Sequence, residues 1–213
     1  MQDDLCEIAV VLDRSGSMEQ TKADAEGGFN QFIADQRKEQ GRCNVSLMQF
    51  DTVFETVYQG KPIAEVPRLH LRPRGSTALL DAIGKTINTL GTCLAKTAER
   101  DRPGKVIVLI VTDGQENSSR EFTYPKIDEM IRHQRDKYNW SFIFIGANQD
   151  AIATAVRMGI DASYALTSAD NAVGSRRAYD SSSKLVALLR AKKVQQGFTD
   201  EDRDAQREAG AKS

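Results

Sequence analysis

Cysteine is scarce in this chain, with three among 213 residues. An odd, sparse set does not make the disulfide framework of a small secreted scaffold. A chain this long buries roughly 70% of its unfolded surface and needs no such framework. Histidine is scarcer still: His70 and His133 stand alone, so neither a histidine metal centre nor a His-based triad can be assembled. Net charge is almost absent, with 29 Lys+Arg against 30 Asp+Glu, which excludes the broadly basic surface of a nucleic-acid binder. The longest unbroken apolar run, Val106–Val111, falls far short of the ~20 residues that cross a bilayer. The acidic start Met1-Gln2-Asp3-Asp4 enters an apolar segment directly, without the n-region or cleavage site of a signal peptide. A P-loop, internal repeats and low-complexity blocks are also missing. The expectation is a soluble, cytoplasmic protein with no nucleic-acid or membrane partner.

What is present is an alternation of short apolar runs and helical patterns. Leu5–Leu12 suits a strand buried on both faces. Within Thr21–Lys38, Ala25, Phe29, Phe32 and Ile33 recur at helical spacing. Asn44–Phe50 and Val53–Tyr58 read as a hairpin turning at Asp51–Thr52. Pro62, Pro67 and Pro73 break up a connecting loop, after which Ala78–Leu90 places Leu80, Ile83, Ile87 and Leu90 on one helical face. Lys105–Thr112 is the most hydrophobic strand candidate and stops at the turn signal Asp113-Gly114. A helix over Pro125–Arg135, a strand over Trp140–Gly146 and a short helix over Gln149–Met158 follow. A weak strand at Ser163–Leu166 and a last helix over Ser181–Lys193 complete the pattern. It predicts an α/β domain around a mainly parallel sheet, spanning residues 1–195. Residues 196–213 are polar, with Phe198 their sole large apolar side chain, and read as a flexible tail.

In such a sheet, ligands bind beyond the carboxyl ends of the strands. Two of the most apolar strands end in aspartate, giving Asp13-Arg14-Ser15-Gly16-Ser17 and Thr112-Asp113-Gly114. If these strands are neighbours, Asp13 and Asp113 converge at the sheet's rim. Two carboxylates that close repel unless a cation sits between them. Ser15 and Ser17 add hydroxyl oxygens from a loop that Gly16 lets turn tightly, and Thr77 of Gly75-Ser76-Thr77 adds a fifth oxygen. An all-oxygen set of this kind suits Mg²⁺.

Asp-x-Ser-x-Ser after the first strand, Thr in a mid-chain loop and Asp-Gly after a hydrophobic strand resemble the von Willebrand factor A (vWA) domain and its metal-ion-dependent adhesion site. The resemblance spans about Leu5–Lys193, and all five site positions are filled. It implies a doubly wound, mainly parallel six-stranded Rossmann-like sheet with one antiparallel edge strand and helices on both faces. It further implies that Ser15 and Ser17 bind the metal directly, that Thr77 does so when ligand is engaged, and that Asp13 and Asp113 bind directly or through water. The metal would be Mg²⁺, with Mn²⁺ as the alternative. Its open position would take an Asp or Glu carboxylate of a partner protein, in a stand-alone intracellular assembly or regulatory factor without enzymatic activity.

Two other functions remain in view. A structural vWA subunit would make metal-independent contacts. A Mg²⁺-dependent phosphotransferase of the haloacid-dehalogenase type would need a second Asp where this chain has Ser15, and a convincing catalytic lysine is lacking. Several neighbouring residues have plain readings. Ser76 and Thr77 also suit a helix N-cap, Asp81 favours a helix's first turn, and Glu116 and Asn117 fit a solvated loop. The stretch Gly146–Asp150 reads as a helix-start turn on the same rim. Arg68, Arg72 and Arg74 read as a solvated loop, with attraction of an acidic partner as the alternative. Cys6 and Cys43 read as core residues.

Overall fold

A computed structural model describes residues 1–147, 150–193 and 197–211. Its centre is a six-stranded sheet: β1 (Gln2–Asp13), β2 (Arg42–Phe50), β3 (Phe54–Pro62), β4 (Pro103–Thr112), β5 (Ser141–Ala147) and β6 (Ala165–Ser168). The order is β3-β2-β1-β4-β5-β6, parallel throughout except for the antiparallel β2–β3 hairpin at one edge. Around it lie α1 (Lys22–Gln36), α2 (Leu79–Lys96), α3 (Tyr124–Tyr138), α4 (Ala151–Arg157), α5 (Ala172–Arg190) and α6 (Asp200–Gly210).

The apolar runs of β1 and β4 are explained by burial on both faces. Ile8, Val10, Leu12, Ile107 and Leu109 point toward Phe29, Phe32 and Ile33 of α1 and Leu185, Val186 and Leu189 of α5. Ala9, Val11, Val108 and Ile110 point the other way, toward Leu80, Ile83, Ile87 and Leu90 of α2 and Ile127 and Ile131 of α3. The result is three layers with the sheet inside. Cys6 and Cys43 sit opposite each other in the β1–β2 ladder, both buried as free thiols. On the α1 and α5 side the helices approach so closely that a Cβ on Gly28 would overlap the Tyr179 ring. Among the described residues no helix is long and apolar enough to cross a membrane.

The termini of several elements differ from the sequence expectation. The last sheet helix, α5, starts at Ala172 rather than Ser181, because Asn171 Oδ1 caps it by accepting the Gly174 N–H at 2.8 Å. Its first turns carry no apolar stripe, so periodicity does not reveal them. The strand β6 lies slightly later than Ser163–Leu166. Asn148 and Gln149 fall outside the described residues. The expected flexible tail instead contains α6. Thr199 and Asp202 form a reciprocal capping box, Phe198 is buried in the core, and Gln206 accepts the Ala169 N–H while donating to the Gly174 carbonyl. Arg203 donates to the Ala165 carbonyl at 3.0 Å, tying the helix to the β6 edge. Docking by buried polar side chains leaves no hydrophobic period to read.

One charge is out of place in the sheet. Glu7 is buried, and its carboxyl accepts the Ser46 hydroxyl at 2.5 Å, while Ser46 in turn accepts the Gly60 N–H. Burial pushes the Glu7 pKa up to about 7, partly opposed by the Ser46 hydrogen bond. Because the folded value is raised, the protonated form supports folding fully below the unfolded value, and this support fades as pH rises through 7. Glu7→Gln is therefore expected to gain on wild type by up to about 3 kcal/mol between pH 4 and pH 8. Paired denaturant titrations at the two pH values measure this; an unchanged difference contradicts it.

Candidate metal centre

Three loops meet beyond the carboxyl end of the sheet. The first follows β1, the second precedes α2, and the third follows β4. Since β1 and β4 are adjacent and parallel, Asp13 and Asp113 leave neighbouring strands at the same rim. Asp13 is fully buried, and both its oxygens are engaged: Oδ1 accepts the Ser15 N–H at 2.6 Å and Oδ2 the Thr112 hydroxyl at 2.5 Å. Ser15 Oγ lies 3.0 Å from Ser17 Oγ, and Ser17 donates to Asp113 Oδ1 at 2.7 Å. The Thr21 hydroxyl stands 3.5 Å from the other Asp113 oxygen.

Thr77 joins this group from the second loop. A Cβ on Gly114 would lie 2.6 Å from Thr77 Oγ1, so only glycine allows the Asp113-Gly114 turn to approach this hydroxyl. Thr77 is buried and clasped by the third loop: its N–H donates to Asn117 Oδ1 at 3.0 Å, and its carbonyl accepts the Asn117 N–H at 3.1 Å. All five residues singled out in the sequence are thus gathered at one point.

The electrostatics fit a cation. Burial pushes the Asp13 pKa up to about 6, with hydrogen bonds from Thr112 and Ser15 opposing the rise and the Asp113 charge adding to it. Burial likewise raises Asp113, and the Ser17 hydrogen bond only partly offsets it. Among the described residues no lysine, arginine or histidine pairs with either carboxylate. Two buried acids with no counter-charge, ringed by three hydroxyls, are a donor set that a hard divalent cation satisfies. Among the described residues no group of three or more His, Cys, Asp or Glu is placed to hold a metal ion, so the candidate site consists of two carboxylates and three hydroxyls.

The neighbouring residues take roles that the sequence did not disclose. Ser76 and Thr77 do not cap α2. Glu116 accepts the Leu80 N–H at 2.9 Å and the Ser119 Oγ accepts the Asp81 N–H at 3.0 Å, so the third loop satisfies that helix end. Asp81 accepts the N–H groups of Arg120, Glu121 and Phe122, each at 2.9 Å, and folds the same loop back. Arg14, the variable position inside Asp-x-Ser-x-Ser, is buried and pairs with Asp51 at 2.8 Å and Glu55 at 2.6 Å. Arg74 reaches the same Asp51 oxygen at 2.9 Å. Asp51 therefore links the first two loops, which also touch through Arg74 N–H to Arg14 O and Gly16 N–H to Gly75 O. A charged residue at a turn gives no sequence signal that separates such a hub from a solvated hairpin tip.

The family model of the von Willebrand factor type A domain matches residues 7–178. The chain belongs to the vWA family. Its members are metal-dependent protein-interaction modules and in general not enzymes. No curated protein matches the chain. Among solved structures, proximal thread matrix protein 1 from the mussel byssus has a TM-score of 0.63 at 17% identity, covering 86% of this chain and 46% of its own. A further structure of that mussel protein is described as having a zinc-occupied MIDAS motif. The pilus adhesin SpaC from Lactobacillus rhamnosus GG, in an open conformation, aligns with a TM-score of 0.65 at 13% identity over 86% of this chain and 30% of its own. At these identities the likeness concerns the fold. This vWA domain spans less than half the length of each of them.

Proposed function

We propose that this vWA domain is a non-enzymatic binding module that grips a protein partner through a divalent cation held by Asp13, Ser15, Ser17, Thr77 and Asp113. The observation that carries the reading is the convergence of two uncompensated buried carboxylates with three hydroxyls on one rim. Bound there, Mg²⁺, or Mn²⁺ in its place, supplies an electrophilic coordination position for an Asp or Glu carboxylate of the partner. The chain's own residues do the rest. Thr112 and the Ser15 N–H hold Asp13 in one orientation, Ser17 and Thr21 hold Asp113, and Asn117 fixes Thr77 at the Gly114 turn. An intracellular assembly or regulatory role accords with this reading.

The test is capture from the host's lysate by the immobilised domain, read by mass spectrometry. Wild type in Mg²⁺, wild type in EDTA and Asp113→Ala in Mg²⁺ are compared. A protein retained only in the first condition is the expected result. The same proteins in all three would overturn the reading.

A further inference from the structure

The segment that leads into the metal loop at Gly75–Thr77 is a built surface. Residues 66–74 have no regular secondary structure, yet they are fixed along their length. Val66, Leu69 and Leu71 are buried in the core shared with α1. The Leu69 N–H donates to Asn30 Oδ1 at 2.9 Å and the Leu71 N–H to Glu26 Oε1 at 2.7 Å. Arg37, at the end of α1, donates to the carbonyls of Ile63 and Val66 at 2.9 and 2.7 Å. These anchors occur in reverse order along α1, so the segment is a strap running antiparallel to that helix. It rises to the rim and ends where the Arg74 N–H meets the Arg14 carbonyl at 2.8 Å. Pro67 and Pro73 hold their own φ and bias Val66 and Arg72 toward extended backbone, stiffening the strap further.

The outer side of this strap is basic. Arg68, His70, Arg72 and Arg74 are all exposed, at every second position. Between Glu65 and Asp81 the sequence carries three arginines, one histidine and no acid. Arg74 shares Asp51 with Arg14, whereas Arg68 and Arg72 have neither an ion pair nor a side-chain hydrogen bond among the described residues. Glu26, the acid bound to the strap, already has one oxygen occupied by a backbone N–H. At about 3.3 Å per residue the row from Arg68 to Arg74 extends about 20 Å from the metal loop.

Resting on the metal-bridged reading, we propose that this strap is the second half of the binding surface and that the partner presents an acidic segment, not a lone carboxylate. One acid anchors at the metal, and further acids of the same segment lie along Arg74, Arg72 and Arg68. A preordered backbone lowers the entropy lost on docking, and the row of charge steers a segment of opposite sign toward the site. On a chain of net charge -1, the unpaired Arg68 and Arg72 beside a cation site select an acidic peptide over a nucleic acid.

A phage-displayed library of random twelve-residue peptides tests this. It is selected on wild type and on the Arg68→Gln/Arg72→Gln double variant, each in Mg²⁺ and in EDTA. Both substitutions are at exposed positions, and matching thermal melts confirm the fold. On wild type in Mg²⁺, the expected peptides share one fixed Asp or Glu with two or more acids to one side. On the double variant the fixed acid persists and the flanking acids disappear. A synthetic peptide of the wild-type consensus is expected to bind the variant ~10-fold more weakly. That gap closes in 1 M salt, where the screening length is about 3 Å. Flanking acids absent on wild type, or retained on the variant, overturn the proposal. Flanking acids that depend on Arg68 and Arg72 but are selected equally in EDTA uphold the basic strap while refuting the metal-bridged reading.

Discussion

Replacing Asp113 by Ala is expected to weaken Mg²⁺ binding by more than about 100-fold, because even outer-shell partners of metal ligands are worth 10–100-fold. The same substitution leaves the cation-free fold as stable as wild type or slightly more so. Burial raises the Asp113 pKa, so its charge is a cost to the folded chain until a cation compensates it. Thermal melts with and without Mg²⁺ separate the two effects: wild type rises in Tm with added Mg²⁺ and the variant does not. Protons compete for the same oxygens. With Asp13 pushed up to about 6, Mg²⁺ affinity is expected to fall as pH drops from 7 to 5. A Mg²⁺ response retained by Asp113→Ala, or one independent of pH over this range, counts against the assignment.

Replacing Asp51 by Ala has the opposite character: it is expected to cost about 3 kcal/mol of stability with or without metal. Asp51 is 2% exposed and accepts from Arg14, Arg74 and the Val53 N–H. Burial alone would raise its pKa, but the hydrogen bonds from Arg74, Val53 and Arg14 outweigh it and hold the carboxyl below its ordinary value. Removing it leaves buried Arg14 with Glu55 and Gln49 alone, and an uncompensated buried charge costs 3–5 kcal/mol. The remaining contacts place the expected figure at the low end. Because Asp51 ties the Asp13–Ser17 loop to the Arg74–Thr77 loop, Mg²⁺ affinity is also expected to fall, though less than in Asp113→Ala. Urea denaturation of the two variants in EDTA gives the comparison, and a loss below about 1 kcal/mol for Asp51→Ala contradicts it.

Most of this arrangement is written in local pattern. The doubly buried strands β1 and β4 each carry a long apolar run, β1 ending on Asp13 and β4 followed directly by Asp113, so once the strands are neighbours the two aspartates come together. The hairpin announced itself by its turn, and α2 by its stripe of Leu80, Ile83, Ile87 and Leu90. What stayed hidden depends on tertiary hydrogen bonds between polar side chains. Gln206 and Arg203 dock α6 without an apolar stripe, although Thr199 and Asp202 were a readable capping signal. Glu116, Asn117 and Asp81 organise the third loop through backbone N–H groups, and nothing in their spacing distinguishes that from solvated turn chemistry. Arg14 is the sharpest case, since a charged residue beside a metal motif reads as exposed until Asp51 is seen beneath it.

The most direct test of the central claim is diffraction from crystals of the wild-type domain grown with Mn²⁺, measured at a wavelength where manganese scatters anomalously. The account predicts one strong anomalous peak within coordination distance of Ser15 Oγ and Ser17 Oγ, beside Asp13, Asp113 and Thr77. A featureless map at that rim, or a peak held by other residues, would contradict it.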